Sequence, residues 1–432
     1  RFELSRSAEF RDSRLTGWLD AKADNDFIVK TVVDELEPGT RYHYRLVYGA
    51  GRESVRKGPV RTFRTLDGAQ RATAVRFVVA SCMNYTPFQV LYEGEDRHLG
   101  YPALASILAR DPAFVVFTGD SVYYDSPNMT ENTPEPYRRE PAKTAVELRA
   151  KWHEQLAQPR FVDLFARVPT YWEKDDHDYR YNDADNTGER EPRPELGRRI
   201  FREQVPVVDP LDSDAVTYRT HRVNRHLQIW LTENRDYRSR HMMEPGPGKS
   251  IWGHEQRQWL QRTLLESDAD FKIVISSTPM IGPDDLYQAG PQEPPHDRFK
   301  RDNHSNERGF RWERDDFFAW LLEAGIDDVL FVNGDRHWQY HSRSPEGFEE
   351  LSCGALHDEN SRLGRLPGDP QSNDPDAEIE QLYLQQERSG GFLEIGVARA
   401  EVGSPPRLEI TFYDEHGEVL HNSYRTAADV SG

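Results

Sequence analysis

Ala113-Phe-Val-Val-Phe-Thr-Gly-Asp-Ser-Val-Tyr-Tyr-Asp125 is a short apolar run that stops at a glycine and turns acidic. A stretch that short, rich in β-branched and aromatic residues, reads as a strand buried on both faces. The residues after its end, Gly119, Asp120, Tyr123 and Asp125, then stand where open α/β sheets place their sites, beyond the carboxyl end of a strand. The same grammar recurs three times. Arg76-Phe-Val-Val-Ala80 runs into Ser81-Cys82-Met83-Asn84, and Val168-Pro-Thr-Tyr-Trp-Glu173 runs into Asp175-Asp176-His177-Asp178. Asp328-Val-Leu-Phe-Val332 runs into Asn333-Gly334-Asp335-Arg336-His337-Trp338.

Helical patterns alternate with these strands. Leu104, Ile107 and Leu108 share one face after Pro102, a residue suited to a first helical turn. Ala145 to Gln158 carries Leu148, Trp152 and Leu156 at helical spacing, and Pro159 is expected to end it. Gln256 to Leu265 and Trp312 to Leu322 are two more helices, and Phe271 to Ser276 is a further strand. The tail, Gly391 to Arg425, reads as hairpins around Glu415-His-Gly417.

Residues 1–66 follow a different pattern. Phe27 to Val33, Tyr42 to Tyr48 and Val60 to Thr65 read as strands, with a turn at Leu36 to Thr40. This is the pattern of the later strands of a fibronectin-type sandwich. Residues 67–74 form a short polar linker, and 75–432 the larger domain. The expectation is therefore an α/β sandwich of mixed sheets flanked by helices, preceded by a small all-β domain. Four polar, proline-rich stretches are expected to be irregular: Asp125 to Pro141, Asp183 to Pro194, Gly282 to His304 and Leu363 to Pro375.

Composition excludes more than it selects. The chain has 432 residues, a formal net charge of −19 and 36% hydrophobic residues. Mean hydropathy is −0.83, and no window approaches the roughly 18 to 20 apolar residues that span a bilayer. A field of that sign repels nucleic-acid polymers and favours bound cations, although solubility alone also explains it. Two cysteines, Cys82 and Cys353, are too few for a disulfide framework; they are one bridge, free thiols or metal ligands. The chain begins at Arg1 with no signal peptide, so a processed form is expected and the compartment is not readable from its first residues.

Each strand-end residue has an ordinary explanation. Cys82 alone is a small buried hydrophobe, Asp120 a turn cap, Tyr123 a core aromatic, and Asp335 with His337 a satisfied pair. Asp175, Asp176 and Asp178 around a histidine are less easily explained, because like charges packed that closely repel unless cations compensate them. Four strand ends loaded with ligand-type side chains point to a site holding several metal ions.

The combination resembles the PhoD-type alkaline phosphatases, a branch of the calcineurin-like metallophosphoesterases. The resemblance rests on Ala80-Ser-Cys82, Gly119-Asp-Ser-Val-Tyr123, Asp175-Asp-His-Asp-Tyr179 and Gly334-Asp-Arg-His-Trp338. Arg235-Asp-Tyr-Arg238, Trp252-Gly-His-Glu-Gln256 and Asp302-Asn-His-Ser-Asn306 match more weakly. It implies a metallophosphoesterase-type β-sandwich with Cys82, Asp120, Tyr123 and His337 around a ferric ion. Thiolate and phenolate suit that ion, since anionic donors stabilise the trivalent state. Asp120 is then expected to bridge to one or two calcium ions, with Asp176, Asp335 and, more weakly, Asn182 completing their oxygen ligands. Zinc, manganese or magnesium are alternatives to calcium.

The reaction implied is hydrolysis of a small phosphate ester, monoester or diester, by a metal-bound hydroxide formed near neutral pH. His177, beside Asp176, is expected to stabilise the transition state or protonate the leaving alkoxide. Arg235 or Arg336 is expected to clamp the phosphate, or else to sit in a surface ion pair. The resemblance also places the protein outside the cytoplasm, in a periplasm or beyond the cell.

Some positions depart from the wider superfamily. Cys82 stands where ordinary calcineurin-like enzymes have Asp-x-His, and Gly334-Asp-x-His337 stands in place of Gly-His-x-His. Asp178 replaces a glutamate found in some members. No C-terminal plug helix is evident, so an open site admitting bulkier diesters is expected unless Leu363 to Pro375 forms a lid. Two other readings remain at this point: a purple-acid-phosphatase-like binuclear hydrolase, and a non-catalytic calcium-dependent binding protein.

Overall fold

The protein is described by a computed structural model covering residues 1–126, 140–212, 214–287, 298–398 and 404–427. The irregular stretches expected at 125–141 and 282–304 lie partly outside these residues.

The chain opens with β1 (Phe2–Ser5), β2 (Arg14–Leu15), β3 (Arg41–Gly51), β4 (Ser54–Lys57) and β5 (Arg61–Arg64). They form one antiparallel sheet in the order β2-β1-β3-β4, with β5 also on β3. Phe27 to Val33 does not pair as the strand its residues suggest. Asp26 and Phe27 enter it in the left-handed region, and Phe27 and Val32 are exposed. The segment instead lies along the larger domain, where Lys30 Nζ donates to the carbonyls of Arg202 and Val205, both at 2.6 Å.

The larger domain runs β6 (Val75–Ala80), α1 (Tyr85–Leu91), α2 (Pro102–Ala109), β7 (Val115–Thr118), α3 (Ala145–Leu156), α4 (Pro159–Phe165), β8 (Thr170–Glu173) and α5 (Pro194–Gln204). It continues β9 (Arg219–Arg222), β10 (Leu227–Leu231), α6 (Gly253–Leu265), β11 (Phe271–Ser276), α7 (Arg311–Glu323) and β12 (Val329–Asn333). The last strands are β13 (Gln339–Arg343), β14 (Glu349–Cys353), β15 (Glu380–Leu384), β16 (Gly391–Ala398), β17 (Arg407–Asp414) and β18 (Val419–Thr426).

Two sheets result, ordered β18-β17-β16-β6-β7-β8 and β15-β13-β14-β12-β11-β10-β9. The strands that carry the strand-end motifs are parallel: β6, β7 and β8 in one sheet, and β10, β11 and β12 in the other. Their carboxyl ends therefore open toward one edge of each sheet. Inner faces meet in a dry layer that includes Val79, Val116, Ile273, Val332 and Ile395. Each such side chain contributes about 1.5–3 kcal/mol by leaving water. The outer face of the first sheet packs on α2 through α5, and that of the second on α6 and α7. The alternation of apolar strands and one-sided helices thus yields four layers.

Helix α3 shows how local sequence sets a boundary. Thr144 accepts from the Glu147 N–H while the Glu147 carboxylate accepts from the Thr144 N–H, a reciprocal capping box. Its buried face carries Leu148 and Trp152, and the Trp152 indole donates to the Tyr124 hydroxyl at 2.7 Å. Pro159 ends the helical run as expected, and it also opens α4 as that helix's first residue.

Candidate metal centre

At the open edge, β6 delivers Cys82, β7 delivers Asp120 and β12 delivers Asp335. All three have left-handed backbones, with φ of 56°, 54° and 58°. Such angles are strained for non-glycine residues and persist where the surroundings over-determine them. Gly119 and Gly334 permit the crowding. A Cβ on Gly119 would lie 2.4 Å from that of Asp175, and one on Gly334 would lie 2.6 Å from the Thr118 carbonyl. The strand ends are therefore pressed together in a way only glycine allows.

Three overlapping groups of donor atoms follow: Cys82 with Asp120 and His337; Asp120 with Asp176 and His177; and Asp175 with Asp176 and Asp335. Within each group the atoms lie within 4.8 Å of one another. The Tyr123 hydroxyl donates to Asp120 Oδ2 at 3.0 Å, and the Cys82 thiol lies 3.6 Å from the same oxygen. His337 Nδ1 sits 2.6 Å from the Asn360 carbonyl, which holds the proton on Nδ1 and leaves Nε2 free to bind a metal. Asn360 also reaches the Cys82 carbonyl (2.8 Å) and the Tyr123 hydroxyl (3.3 Å).

Burial dominates the electrostatics of this cluster. Burial and the neighbouring Asp120 charge push the Cys82 thiol well up, and burial with Asp120 and Cys82 does the same to Tyr123. Burial raises Asp120 against the lowering pull of His177, with Asp176, Asp175 and Asp178 adding to the rise. Asp175 Oδ2 is buried without a hydrogen-bond partner among the described residues. A buried acceptor left bare beside other anionic donors fits a missing positive charge. The donor types divide: thiol, phenol, imidazole and carboxylate on one side, carboxylates alone on the other. That division suits a softer or trivalent ion in the first place and a hard divalent ion in the second.

His177 belongs to the second of these groups, with Asp120 and Asp176. Its Nδ1 is 2.6 Å from Asp125 Oδ1, and its ring stacks on Tyr123 with centroids 4.1 Å apart. Burial pulls its pKa down, but Asp125, Asp176 and Asp120 outweigh that and hold it well above the usual range. Asp176 is pinned by the His177 N–H (2.8 Å) and the Asp183 N–H (2.5 Å). Asp178 does not face the donors. It braces two strand ends, accepting from the Asp175 N–H (2.7 Å) and the Ser121 N–H (3.0 Å), with burial raising its pKa to about 7.

The two arginines are placed differently from a surface pair. Arg235 is fully buried; Nε donates to Asp175 at 2.7 Å, and its other nitrogens reach Asp302 and the Ala184 carbonyl. Arg238 and His241 join Asp302, so the Arg235–Arg238 and Asp302–Asn306 segments form one ionic cluster beneath the site. Arg336 is paired with Asp284 and Asp335. Both arginines are therefore held by carboxylates. Asn182 is exposed, and its backbone N–H, which bonds Asp125 at 2.9 Å, is the part that joins the site. Cys82 and Cys353 are both free, with Cys353 in the inner apolar layer.

Asp175, Asp125 and Asn360 join the cluster at positions to which the sequence assigned no individual role. Asp175 and Asp125 stand inside the acidic strand-end stretches. Asn360 lies in a featureless segment, and nothing local marks it. The Leu363 to Pro375 stretch starts beside the cluster: Gly364 packs on Trp338, and Arg362, the residue just before the stretch, donates its N–H to the His337 carbonyl at 2.9 Å. Among the described residues no helix is long and apolar enough to cross a membrane.

A sequence profile described as PhoD-like phosphatase matches residues 77–404, and one described as PhoD-like phosphatase, N-terminal domain matches residues 1–66. A search of curated protein sequences finds no match. Among solved structures, one titled "Structure of PhoD" is 18% identical with a TM-score of 0.71, covering 98% of this chain and 81% of that one. The purple acid phosphatase PPD1 from seeds of yellow lupin (Lupinus luteus) is 13% identical with a TM-score of 0.59, covering 93% of this chain and 62% of that one. At such identities the likeness concerns the fold. The profile matches, joined to the clustered acidic, histidine and cysteine ligands, make the protein a metal-dependent phosphoester hydrolase. The chain belongs to the PhoD-like phosphatase family.

Proposed function

We propose that the protein hydrolyses small phosphomonoesters, phosphodiesters or both at a mixed centre. In this reading a ferric ion is held by Cys82, Asp120, Tyr123 and His337, and one or two calcium ions by Asp120, Asp175, Asp176 and Asp335. The observation that carries it is the approach of the Cys82, Asp120 and His337 donor atoms to within 4.8 Å, with the Tyr123 hydroxyl on the shared carboxylate. When bound, such ions supply Lewis acidity, lowering the pKa of water and offsetting charge on phosphate oxygens.

The chain's own groups do the rest. Asp125 fixes the His177 ring through Nδ1, so that Nε2 faces the donors and delivers a proton to the departing alkoxide. Tyr123, stacked on the same ring, keeps it from rotating. Asn360 orients both the phenol and the imidazole of the first ion's ligands. Arg235 acts from beneath by holding Asp175 in place, and Arg336 does the same for Asp335. The same proposal divides the chain into a β-domain at 1–66, a linker at 67–74 and a catalytic domain at 75–432, and places the protein in a periplasm or outside the cell. Cell fractionation tests the location.

Elemental analysis with a visible spectrum tests the metals. Iron near one per chain, calcium and a ferric phenolate band are expected. A colourless protein loaded with zinc would remove iron from the assignment while keeping the hydrolase. Calcium alone without turnover would favour a binding protein.

A further inference from the structure

Beside the metal centre lies a cavity of about 640 Å³ with an unusual charge for this molecule. Among the described residues it is lined by three arginines, Arg298, Arg362 and Arg365, against a single carboxylate, Asp285. The chain as a whole carries a net charge of −19, so a positive recess is a local exception. Low-dielectric walls of one sign concentrate the field and draw in counter-ions.

The arginines are not equivalent. Arg365 is anchored, at 2.6 Å to Asp285 and 3.2 Å to Asp369. Arg362 reaches the same Asp285 only at 3.8 Å, and its Nε is buried with no hydrogen-bond partner among the described residues. Two guanidinium groups thus share one carboxylate, and Arg362 has the weaker share.

Its position is nevertheless fixed. The Arg362 N–H bonds the carbonyl of His337, and its guanidinium lies 5.1 Å from the Trp338 ring centroid. Arg336 lies 5.5 Å from the same ring. Gly364 closes the packing: a Cβ there would lie 2.3 Å from indole Cδ1 and Nε1. Arg362 is therefore tied through two consecutive residues to a ligand of the centre, with donor capacity to spare. Arg235 is taken up by Asp175 and Asp302, and both terminal nitrogens of Arg336 are paired with Asp284 and Asp335, so that only its Nε is left bare.

We propose that this cavity receives the alcohol arm of the phosphate ester, and that Arg362 selects arms bearing a second anionic group such as a phosphate, phosphonate or carboxylate. This rests on the metal centre being the place of phosphoester hydrolysis. The ester phosphorus sits at the ligands, the arm extends past His337, and its terminal charge pairs with Arg362 and offsets the shortage of carboxylates around it.

The test compares phenyl phosphate with 4-(phosphonomethyl)phenyl phosphate, whose phosphonate is not hydrolysed and whose phenol leaves comparably. The wild type is expected to prefer the phosphonate-bearing ester in kcat/KM, chiefly through KM. In Arg362→Ala that preference is expected to fall about tenfold, the loss of one charge-assisted contact; Arg362→Lys is expected to keep part of it. No preference in the wild type, or an unchanged preference in Arg362→Ala, overturns the proposal. Calorimetry with the free arm, 4-hydroxybenzylphosphonate, is a second readout, expected about tenfold weaker in Arg362→Ala. Hydrolysis of neither ester, with Arg362-dependent binding of the arm, would remove phosphomonoesters from the proposed substrates and leave the anion subsite standing.

Discussion

The Asp125 carboxylate is divided between His177 Nδ1, at 2.6 Å, and the N–H of Asn182, at 2.9 Å. One oxygen orients the imidazole while the other is held by the chain that follows the same histidine. The imidazole is thereby fixed in orientation rather than loosely held.

Asp125→Asn is therefore expected to lower kcat by about 10- to 100-fold, while His177→Ala lowers it by about 10²- to 10⁴-fold. Both variants are expected to keep their metals. Steady-state kinetics and metal content on the same preparations check this. Loss of metal in His177→Ala would make the histidine a ligand.

Asn360→Ala removes the side-chain bonds to the Cys82 carbonyl and the Tyr123 hydroxyl, but leaves the backbone carbonyl that holds His337. Affinity for the first ion is expected to fall about 10- to 100-fold, the usual effect of losing such an outer partner. Retention during dialysis against a graded chelator measures it, and retention equal to wild type would show that Asn360 only fills space.

Arg235→Met leaves Asp175 and Asp302 buried and partly unpaired. It is expected to destabilise by about 3–5 kcal/mol. Arg193→Ala breaks an exposed pair, in which Arg193 and Glu189 are 45% and 88% accessible, and is expected to change stability by less than about 0.5 kcal/mol. Urea unfolding of both variants compares them; similar losses would contradict the difference in burial.

Glu415 sets a pH dependence away from the metals. Burial, then Asp358, Glu359 and Asp414, push its pKa up to about 8. The unfolded value is about 4.3, so between the two the native state holds a proton that the unfolded chain has lost. Its contribution is fully present below that lower value and is lost as pH rises through 8. Urea midpoints between about pH 5 and 9 are expected to fall more steeply in wild type than in Glu415→Gln. Equal slopes would mean that the carboxylate is well hydrated.

The clustering of donor side chains is legible because they follow apolar strands directly: Cys82 after Ala80, Asp120 after Thr118, His337 after Asn333. The layered fold was legible for the same reason, since strand and helix periods alternate cleanly from Val75 onward. Phe27 to Val33 misled because alternation signals a strand only where a neighbour supplies the ladder, and here Lys30 caps the end of α5 instead. The short strands β1 and β2 carry weak patterns and owe their form to tertiary contacts. Asn360 was invisible because its importance comes from chain crossings between distant segments. Arg235 is expected from the sequence to clamp the phosphate or to sit in a surface ion pair; it is instead buried against Asp175 and Asp302, partners visible only in three dimensions.

The left-handed backbones of Cys82, Asp120 and Asp335 set durability against activity at the same positions. Each strained L-residue costs about 1–2 kcal/mol relative to an unstrained one, and glycine would relieve that while deleting a metal donor. Selection for heat resistance alone would drift toward glycine at these strand ends and silence the protein as it hardened it. An engineering campaign that screens only for folding therefore has to exclude the three positions from its library.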